Sequence, residues 1–313
     1  MNVLFVSSGN SKNGISSLVF EQGESLRSLG YEIDYYLVKG KGLKGYLSNL
    51  RTLRKKYKLG NYDIVHAHNI FCGFLCGIAF LKPLVVSLMG WNVQKFLLRN
   101  LIYIFNFISW DVCIVKSQSM QLALKKMQVE IIPNGVDINV FKPMNRIIAQ
   151  EYLNWDVNKK HFLFPADPSI EVKNFPLCEQ AIRILRNDDY VLHTLGGVER
   201  KDMPYYYNAS DVVIFTSKGE GSPNVIKEAM ACNCKIVSVA VGDVPERFKE
   251  VKGCFLCQYQ AYDVARKIMD TLNFLDKEVT SRQAILSLNS SLIAERLSEL
   301  YCLVMSRQNR MNL

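Results

Sequence analysis

Glu220 and Glu228 stand eight positions apart in the stretch EGSPNVIKEAMAC, with a Ser-Pro pair between them and helix formers around the second. Asp211 to Thr216 (DVVIFT) reads as a buried strand, which makes SKGEGSPN the loop at its carboxyl end. Ser222 suits a helix N-cap and Pro223 the first helical position, so a helix is expected to run from here through Val225, Ile226, Ala229 and Met230. The amides of Asn224 and Val225 would then lack intrahelical acceptors, and the helix dipole favours an anion beside them. A carboxylate next to an anion site makes sense when it accepts hydrogen bonds from hydroxyls, such as the two of a ribose. The competing reading is a capped surface helix with ordinary acids, and the motif alone does not choose.

Positioning such a loop requires a sheet, and the sequence supplies the pattern for two. Val3 to Ser7, Ile33 to Val38, Asp63 to Ala67, Leu84 to Leu88 and Val112 to Lys116 are strand-like, and amphipathic segments such as Ser16 to Leu29, with Gly30 as C-cap, lie between them. The pattern pauses at IIPNGVDINVFKP, Ile131 to Pro143, then resumes with His161 to Phe164, Val191 to Leu195, Val212 to Thr216 and Ile236 to Val239. Strand and helix alternation predicts an α/β protein of two doubly wound, Rossmann-like domains that face a cleft beyond the carboxyl ends of their strands. The expected boundaries are residues 1–137, 138–288 and a terminal helix, 289–313. Gly9 and Gly14 follow the first strand in SSGNSKNGIS without GxGxxG spacing, which leaves a phosphate- or sugar-approaching loop and a plain turn equally open.

Composition narrows the classes. The chain has 313 residues and is 49% hydrophobic, enough for two cores, yet its most apolar stretches, Ile70 to Leu81 and Leu97 to Trp110, are short or interrupted by Arg99 and Asn106. No membrane-spanning helix is expected. The amino terminus carries no basic leader, and a cytoplasmic protein is expected. Among nine cysteines, Cys232, Cys234, Cys254 and Cys257 form a CxC and a CxxC pair that zinc could use, but helix-end and strand-like settings favour reduced core thiols. Residues 1–130 hold 16 Lys and Arg against 7 Asp and Glu, and the remainder 22 of each, so the net +9 belongs to the first half. Much of it lies in KGKGLKGYLSNLRTLRKKYKL, Lys39 to Leu59, which reads either as a basic amphipathic helix on an anionic membrane or as a helix packed on its own sheet with a solvated back. No nucleic-acid motif accompanies the charge.

The acid-pair segment, continued as CNCKIVSVAVGDVPE and preceded by YYNASDVVIFTS, resembles the donor-binding segment of family 4 glycosyltransferases of the GT-B architecture, whose hallmark is this E-x7-E spacing. IIPNGVDINVFKP is similar to that family's interdomain segment, DIVHAHN to its third N-domain strand, and SLIAERLSELYCLV to the last helix, which returns to the first domain. The resemblance implies retaining transfer of a sugar from a nucleotide diphosphate sugar, of uridine or guanosine, to an acceptor hydroxyl, in cell-surface polysaccharide or glycolipid synthesis. It implies neither metal nor cofactor.

Carried over by position, Glu228 binds the ribose hydroxyls and Glu220 contacts the transferred sugar. Ser222 lies in the donor loop, and Asn224 and Val225 offer amides near the diphosphate. Lys173, in FPADPSIEVKNF, neutralises the departing diphosphate, a task suited to a compact ammonium. Gly197 and Val198, in LGGVERKDMP, back the base, and Gly14 closes over the donor. His68, Asn69 and Gly90 fall on the acceptor side. His66 and His68 are read as pointing to opposite faces of their strand, His66 into the core. A glycan or lipid-linked acceptor would place the enzyme at the cytoplasmic face of the inner membrane. The chain departs from the family where an arginine usually precedes the lysine and here Pro165, Ala166, Asp167 and Pro168 stand; Met89 replaces a histidine, Asn92 an acid, and Leu195 to Tyr205 is short. Those departures keep two rivals open, a non-catalytic nucleotide-sugar-binding scaffold and an epimerase of the same architecture.

Overall fold

The computed structural model describes residues 1–11 and 14–311, with the side chains of Trp91, Asn92 and Met311 outside that description. The Asn92 side chain, set against an acid above, therefore lies outside the described set, as do Lys12 and Asn13 of the first glycine loop. Two compact units emerge, Met1–Gly135 with Ser290–Leu313, and Val136–Asn289.

The first unit runs β1 (Asn2–Ser8), α1 (Ser17–Arg27), β2 (Glu32–Val38), α2 (Gly42–Leu47), α3 (Leu50–Gly60), β3 (Ile64–His68), α4 (Ile70–Ile78), β4 (Leu84–Ser87), α5 (Phe96–Ile108), β5 (Val112–Val115), α6 (Gln118–Ala123) and β6 (Glu130–Ile131). Its six parallel strands are ordered β2-β1-β3-β4-β5-β6. The second unit runs α7 (Arg146–Tyr152), β7 (Lys160–Phe164), α8 (Phe175–Leu185), β8 (Tyr190–Thr194), α9 (Met203–Ala209), β9 (Val212–Phe215), α10 (Asn224–Ala231), β10 (Ile236–Val239), α11 (Val244–Phe248), β11 (Cys254–Cys257), α12 (Ala261–Leu272) and α13 (Ser281–Ile285). Its parallel order is β11-β10-β9-β7-β8. The last helix, α14 (Ser290–Met311), packs on the first unit: Tyr301 is fully buried there and meets His66 Nδ1 at 2.5 Å, and Tyr31 meets Ser298 at 2.6 Å.

The nine strands read from sequence lie within one residue of those observed. LVVS, VCIV, VVIF and IVSV are buried at every position, as strands covered by helices on both faces must be. The strand-like setting read for Cys254 is β11, CFLC, although its bounds were not given from sequence, and the two-residue β6 has no sequence signal. All nine cysteines are free thiols and eight are buried. Burial pushes Cys257 up to about 12, and Cys234 donates to the Tyr207 carbonyl at 3.2 Å. Among the described residues no three His, Cys, Asp or Glu side chains gather as metal ligands would.

The basic segment is not one helix but two, broken at Ser48 and Asn49. Leu53 of α3 is wholly buried, and Leu50 and Tyr57 pack beside it on the sheet core, while Arg51, Lys55 and Lys58 are exposed. The apolar face of α3 is thus spent on the protein itself, and lipid insertion by that face is corrected to the packed-helix reading. Among the described residues no helix is long and apolar enough to cross a membrane.

Candidate functional site

In the second unit the loops after β7 and β9 are sewn together. After β7 a single 3-10 turn, Glu171–Lys173, ends at Asn174, whose φ of 58° is left-handed, a conformation asparagine tolerates. Thr216 donates to the Asn174 carbonyl at 3.0 Å, Ser217 to the Val172 carbonyl at 3.1 Å, and the Lys218 amide to that same carbonyl at 2.8 Å. These bonds deliver Lys173 to the β9 loop, where Nζ donates to Glu220 Oε1 at 2.5 Å and Ser217 Oγ lies 3.0 Å from the same oxygen, its one proton shared between that carboxylate and the Val172 carbonyl. Both side chains are half-buried, at 23% and 17% exposure, so the pair is partly shielded from water without being sealed.

Glu228 sits deeper, on α10, with its side chain 5% exposed. Arg200 Nη1 approaches Oε1 to 2.8 Å and Tyr207 donates to Oε2 at 3.0 Å, so each carboxylate oxygen has its own partner. A buried charge persists only when it is paired and hydrogen-bonded in this way. Burial, and secondarily the Glu228 charge, pushes the Tyr207 phenol well above its ordinary value and keeps it a donor. The Arg200 guanidinium also lies over the Phe141 ring at 5.0 Å. Neither Arg200 nor Tyr207 was picked out from sequence. Arg200 stands within LGGVERKDMP, already read as the turn behind the base, but its partner is 28 residues away.

α10 begins at Asn224 with Pro223 as its cap residue and no side-chain capping bond. Ser222 is therefore not the N-cap: its hydroxyl donates instead to Asp243 Oδ2 at 2.7 Å, and Arg247 Nε reaches the same oxygen at 3.0 Å. Proline fixes φ near the value required and gives up no useful donor there, so it takes the cap. The bond ties the donor loop to the loop after β10. Gly242 completes the junction, since at φ +58° a Cβ would lie 2.8 Å from the Gly221 carbonyl oxygen. Lys227, one position before Glu228, is wholly buried, and desolvation brings its ammonium down to about 8. Gly197 is exposed with φ +79°, and the Val198 amide closes its turn onto the Leu195 carbonyl at 3.2 Å. Lys173, Glu220, Ser222, Asn224, Val225 and Glu228 thus belong to one loop-and-helix assembly, with Gly197 and Val198 in the segment that carries Arg200.

In the first unit the strand register aligns Ser7, His68 and Ser87 at the carboxyl ends of β1, β3 and β4. His66 and His68 do not point apart. Residues two apart on a strand share a face, and their rings stack at 4.2 Å between centroids, which corrects the opposite-face reading. His68 is 2% exposed, packed on Phe5 at 4.3 Å, and neither ring nitrogen has a partner among the described residues. Its burial is that of a core residue like His66, not of a side chain open to an acceptor. Burial foremost, then Lys116, holds its imidazole well below the ordinary value. Lys116, fully buried, donates to Ser87 Oγ at 3.3 Å and was also missed. Asn69 caps α4 through a bond from the Cys72 amide at 2.9 Å. A Cβ on Gly90 would meet nothing within 4 Å, and Gly14 sits at φ +75° with Leu37 as its nearest neighbour.

The model described as Glycosyltransferase Family 4 matches residues 32–140, and that described as Glycosyl transferases group 1 matches residues 174–273. A curated relative, an uncharacterized 41.2 kDa protein in the cps region of Klebsiella pneumoniae, is 18% identical over 285 residues, 76% of this chain and 78% of that protein. Among solved structures, sucrose-phosphate synthase from Thermosynechococcus elongatus superposes with a TM-score of 0.80 at 15% identity, over 98% of this chain and 99% of that one. Anabaena HepE in complex with UDP and glucose gives 0.75 at 17% identity, over 95% and 98%. Likenesses this distant establish the fold: two Rossmann-like units with parallel sheets, of the GT-B class.

Proposed function

We propose that this chain, whose two units carry glycosyltransferase domains on a GT-B fold, moves a sugar from a nucleotide diphosphate sugar to an acceptor hydroxyl with retention at the anomeric carbon. The observation that carries the reading is the pair of carboxylates at α10, each held by its own cation: Glu220 by Lys173, and Glu228 by Arg200. Fixed carboxylates accept two hydroxyls better than mobile ones, because their orientation is settled before the ligand arrives. In this account Glu228 takes the ribose hydroxyls and Glu220 the transferred sugar. An ammonium has three donors; Glu220 occupies one on Lys173, and the leaving diphosphate takes another. First-turn amides of α10, Asn224 and Val225, add the helix dipole to the same negative charge. Gly197 and Val198 form the close backbone approach to the base, and Ser222 braces the loop through Asp243.

The diphosphate oxygen released as the glycosidic bond breaks removes the proton from the acceptor hydroxyl, so no protein nucleophile, metal or cofactor is required. HepE is described with UDP, glucose and UDP-glucose, which favours uridine as the base here. The relative from a cps region favours an acceptor in surface polysaccharide synthesis. The direct test incubates the protein with a panel of nucleotide sugars and follows the anomeric protons by nuclear magnetic resonance. Transfer, or slow hydrolysis with the α-configuration kept from an α-linked donor, agrees with the proposal. Binding without turnover supports a scaffold, and a new sugar epimer released without an acceptor supports an epimerase; either result overturns it.

A further inference from the structure

One face of the first unit is at odds with water. The helices α3, α4, α5 and α6 contribute Leu53, Leu75, Ile102 and Met120 to a single core on the β-sheet, so they share that side of it. On α5, Ile102 faces the core, while Leu97, Leu101, Ile104 and Ile108 recur at helical spacing on the outside, flanked by Phe96 and Phe107. Phe107 is 90% exposed and Leu97 76%. Past the end of α4, Phe80 is 79% exposed, and an apolar cavity of about 240 Å³ between α2 and α4 opens beside Leu43, Tyr46, Phe71 and Ile78. Large apolar side chains exposed together on one helix face of a globular protein mark an interaction site.

The charge around it selects the partner. From Tyr35 to Val129 the sequence holds 14 Lys and Arg but only two acids, Asp63 and Asp111. Asp63 accepts from the Asn2 amide and Asp111 from the Leu84 amide and Lys82. Along one flank of the ridge Arg54 lies over Phe80 at 5.8 Å and donates to the Ile78 carbonyl at 2.9 Å. Along the other, Arg99, Lys125 and Lys126 line a hollow together with Phe96, Tyr103 and Leu122. An apolar helix lying between two basic margins has the layout of an element that rests in the plane of an anionic leaflet, side chains among the acyl chains and cations among the headgroups.

We infer that the first unit docks on an anionic lipid surface through the outer face of α5, with Phe80 and Leu122 at its margins and Arg54, Arg99, Lys125 and Lys126 on the headgroups. At 13 residues, about 20 Å, α5 is too short to span a bilayer, so the contact is in-plane. The inference is independent of the donor reading, because its test measures lipid binding alone.

The experiment is co-sedimentation of the full chain with vesicles of phosphatidylcholine alone and of phosphatidylcholine with 30 mol% phosphatidylglycerol, about 0.1 and 0.5 M salt being compared. Expected are binding to the anionic vesicles, at least tenfold weaker binding at the higher salt, and a loss of tenfold or more in Leu97→Ser/Ile104→Ser/Phe107→Ser. Lys125→Glu/Lys126→Glu should weaken binding and flatten its salt dependence. A single Phe107→Trp variant, which keeps the surface apolar, should show blue-shifted emission on the anionic vesicles. Equal binding to both vesicle types, binding unchanged in the triple variant, or no emission shift overturns the inference. So does a stable dimer in sedimentation that the triple variant dissociates while vesicles capture nothing, which would assign the face to a second copy.

Discussion

Arg200 Nη1 lies 2.8 Å from Glu228 Oε1, with Tyr207 on the other oxygen at 3.0 Å, so the deepest carboxylate of the site is oriented from both sides. Arg200→Ala should therefore weaken UDP binding about tenfold, or about 1.4 kcal/mol, by releasing the carboxylate to rotate. Isothermal titration with both proteins measures it; an unchanged Kd would show that the pair does not preorganise the site.

Tyr207 is the structural half of that arrangement. Tyr207→Phe leaves one oxygen of a nearly buried carboxylate without its donor, and about 2 kcal/mol of stability should be lost. Urea unfolding followed through the second unit's transition tests the value. A loss below about 0.5 kcal/mol would mean that water replaces the hydroxyl at little cost.

Lys173 and Glu220 should separate binding from turnover. Glu220→Gln preserves shape and removes the charge opposite Lys173, and it is expected to cut kcat at least tenfold, about 1.4 kcal/mol, with UDP affinity nearly unchanged. Lys173→Met should lower both. Equal effects of the two variants on UDP affinity would contradict separate roles on sugar and diphosphate.

Acid should loosen the second unit through His193. Its ring stacks on Trp155 at 3.5 Å, and burial, then the neighbouring His161, holds its pKa at about 4 against an ordinary 6.5. Between those values the unfolded chain binds the proton and the folded chain does not, so this contribution to stability falls as pH drops from 6.5 to 4. His193→Phe keeps a stacked ring and removes the titration. Its Tm should fall less than the wild type's across that window, and parallel declines would refute the assignment.

Much of the fold was legible because buried parallel strands such as DVVIFT and KIVSV are continuous apolar runs, a pattern little else produces. What escaped was non-local or below the length at which a pattern exists. β6 has two residues, and the break that splits the basic segment sits at Asn49, whose side chain donates to the Lys39 carbonyl at 2.9 Å, a partner ten residues away. In the site, the two glutamates and Lys173 were visible as residue types in recognisable segments. Their partners were not, since Arg200 reaches Glu228 across 28 residues and Ser222 reaches Asp243 across 21. Ser222 had the right chemistry for a cap, but the bond to Asp243 and the proline that follows it decided otherwise. His68 was misplaced by a parity slip that the register with Ser7 and Ser87 exposes.

Whether Glu228 and its helix hold a nucleotide diphosphate is read most directly from thermal melting with and without UDP or GDP. At a hundredfold excess over Kd, binding adds about 2.7 kcal/mol to the folded state. The melting temperature of the wild type should rise by several degrees with one of the two nucleotides, and that of Glu228→Ala should not rise. A wild-type curve unmoved by either nucleotide, or an equal rise in the variant, would contradict it.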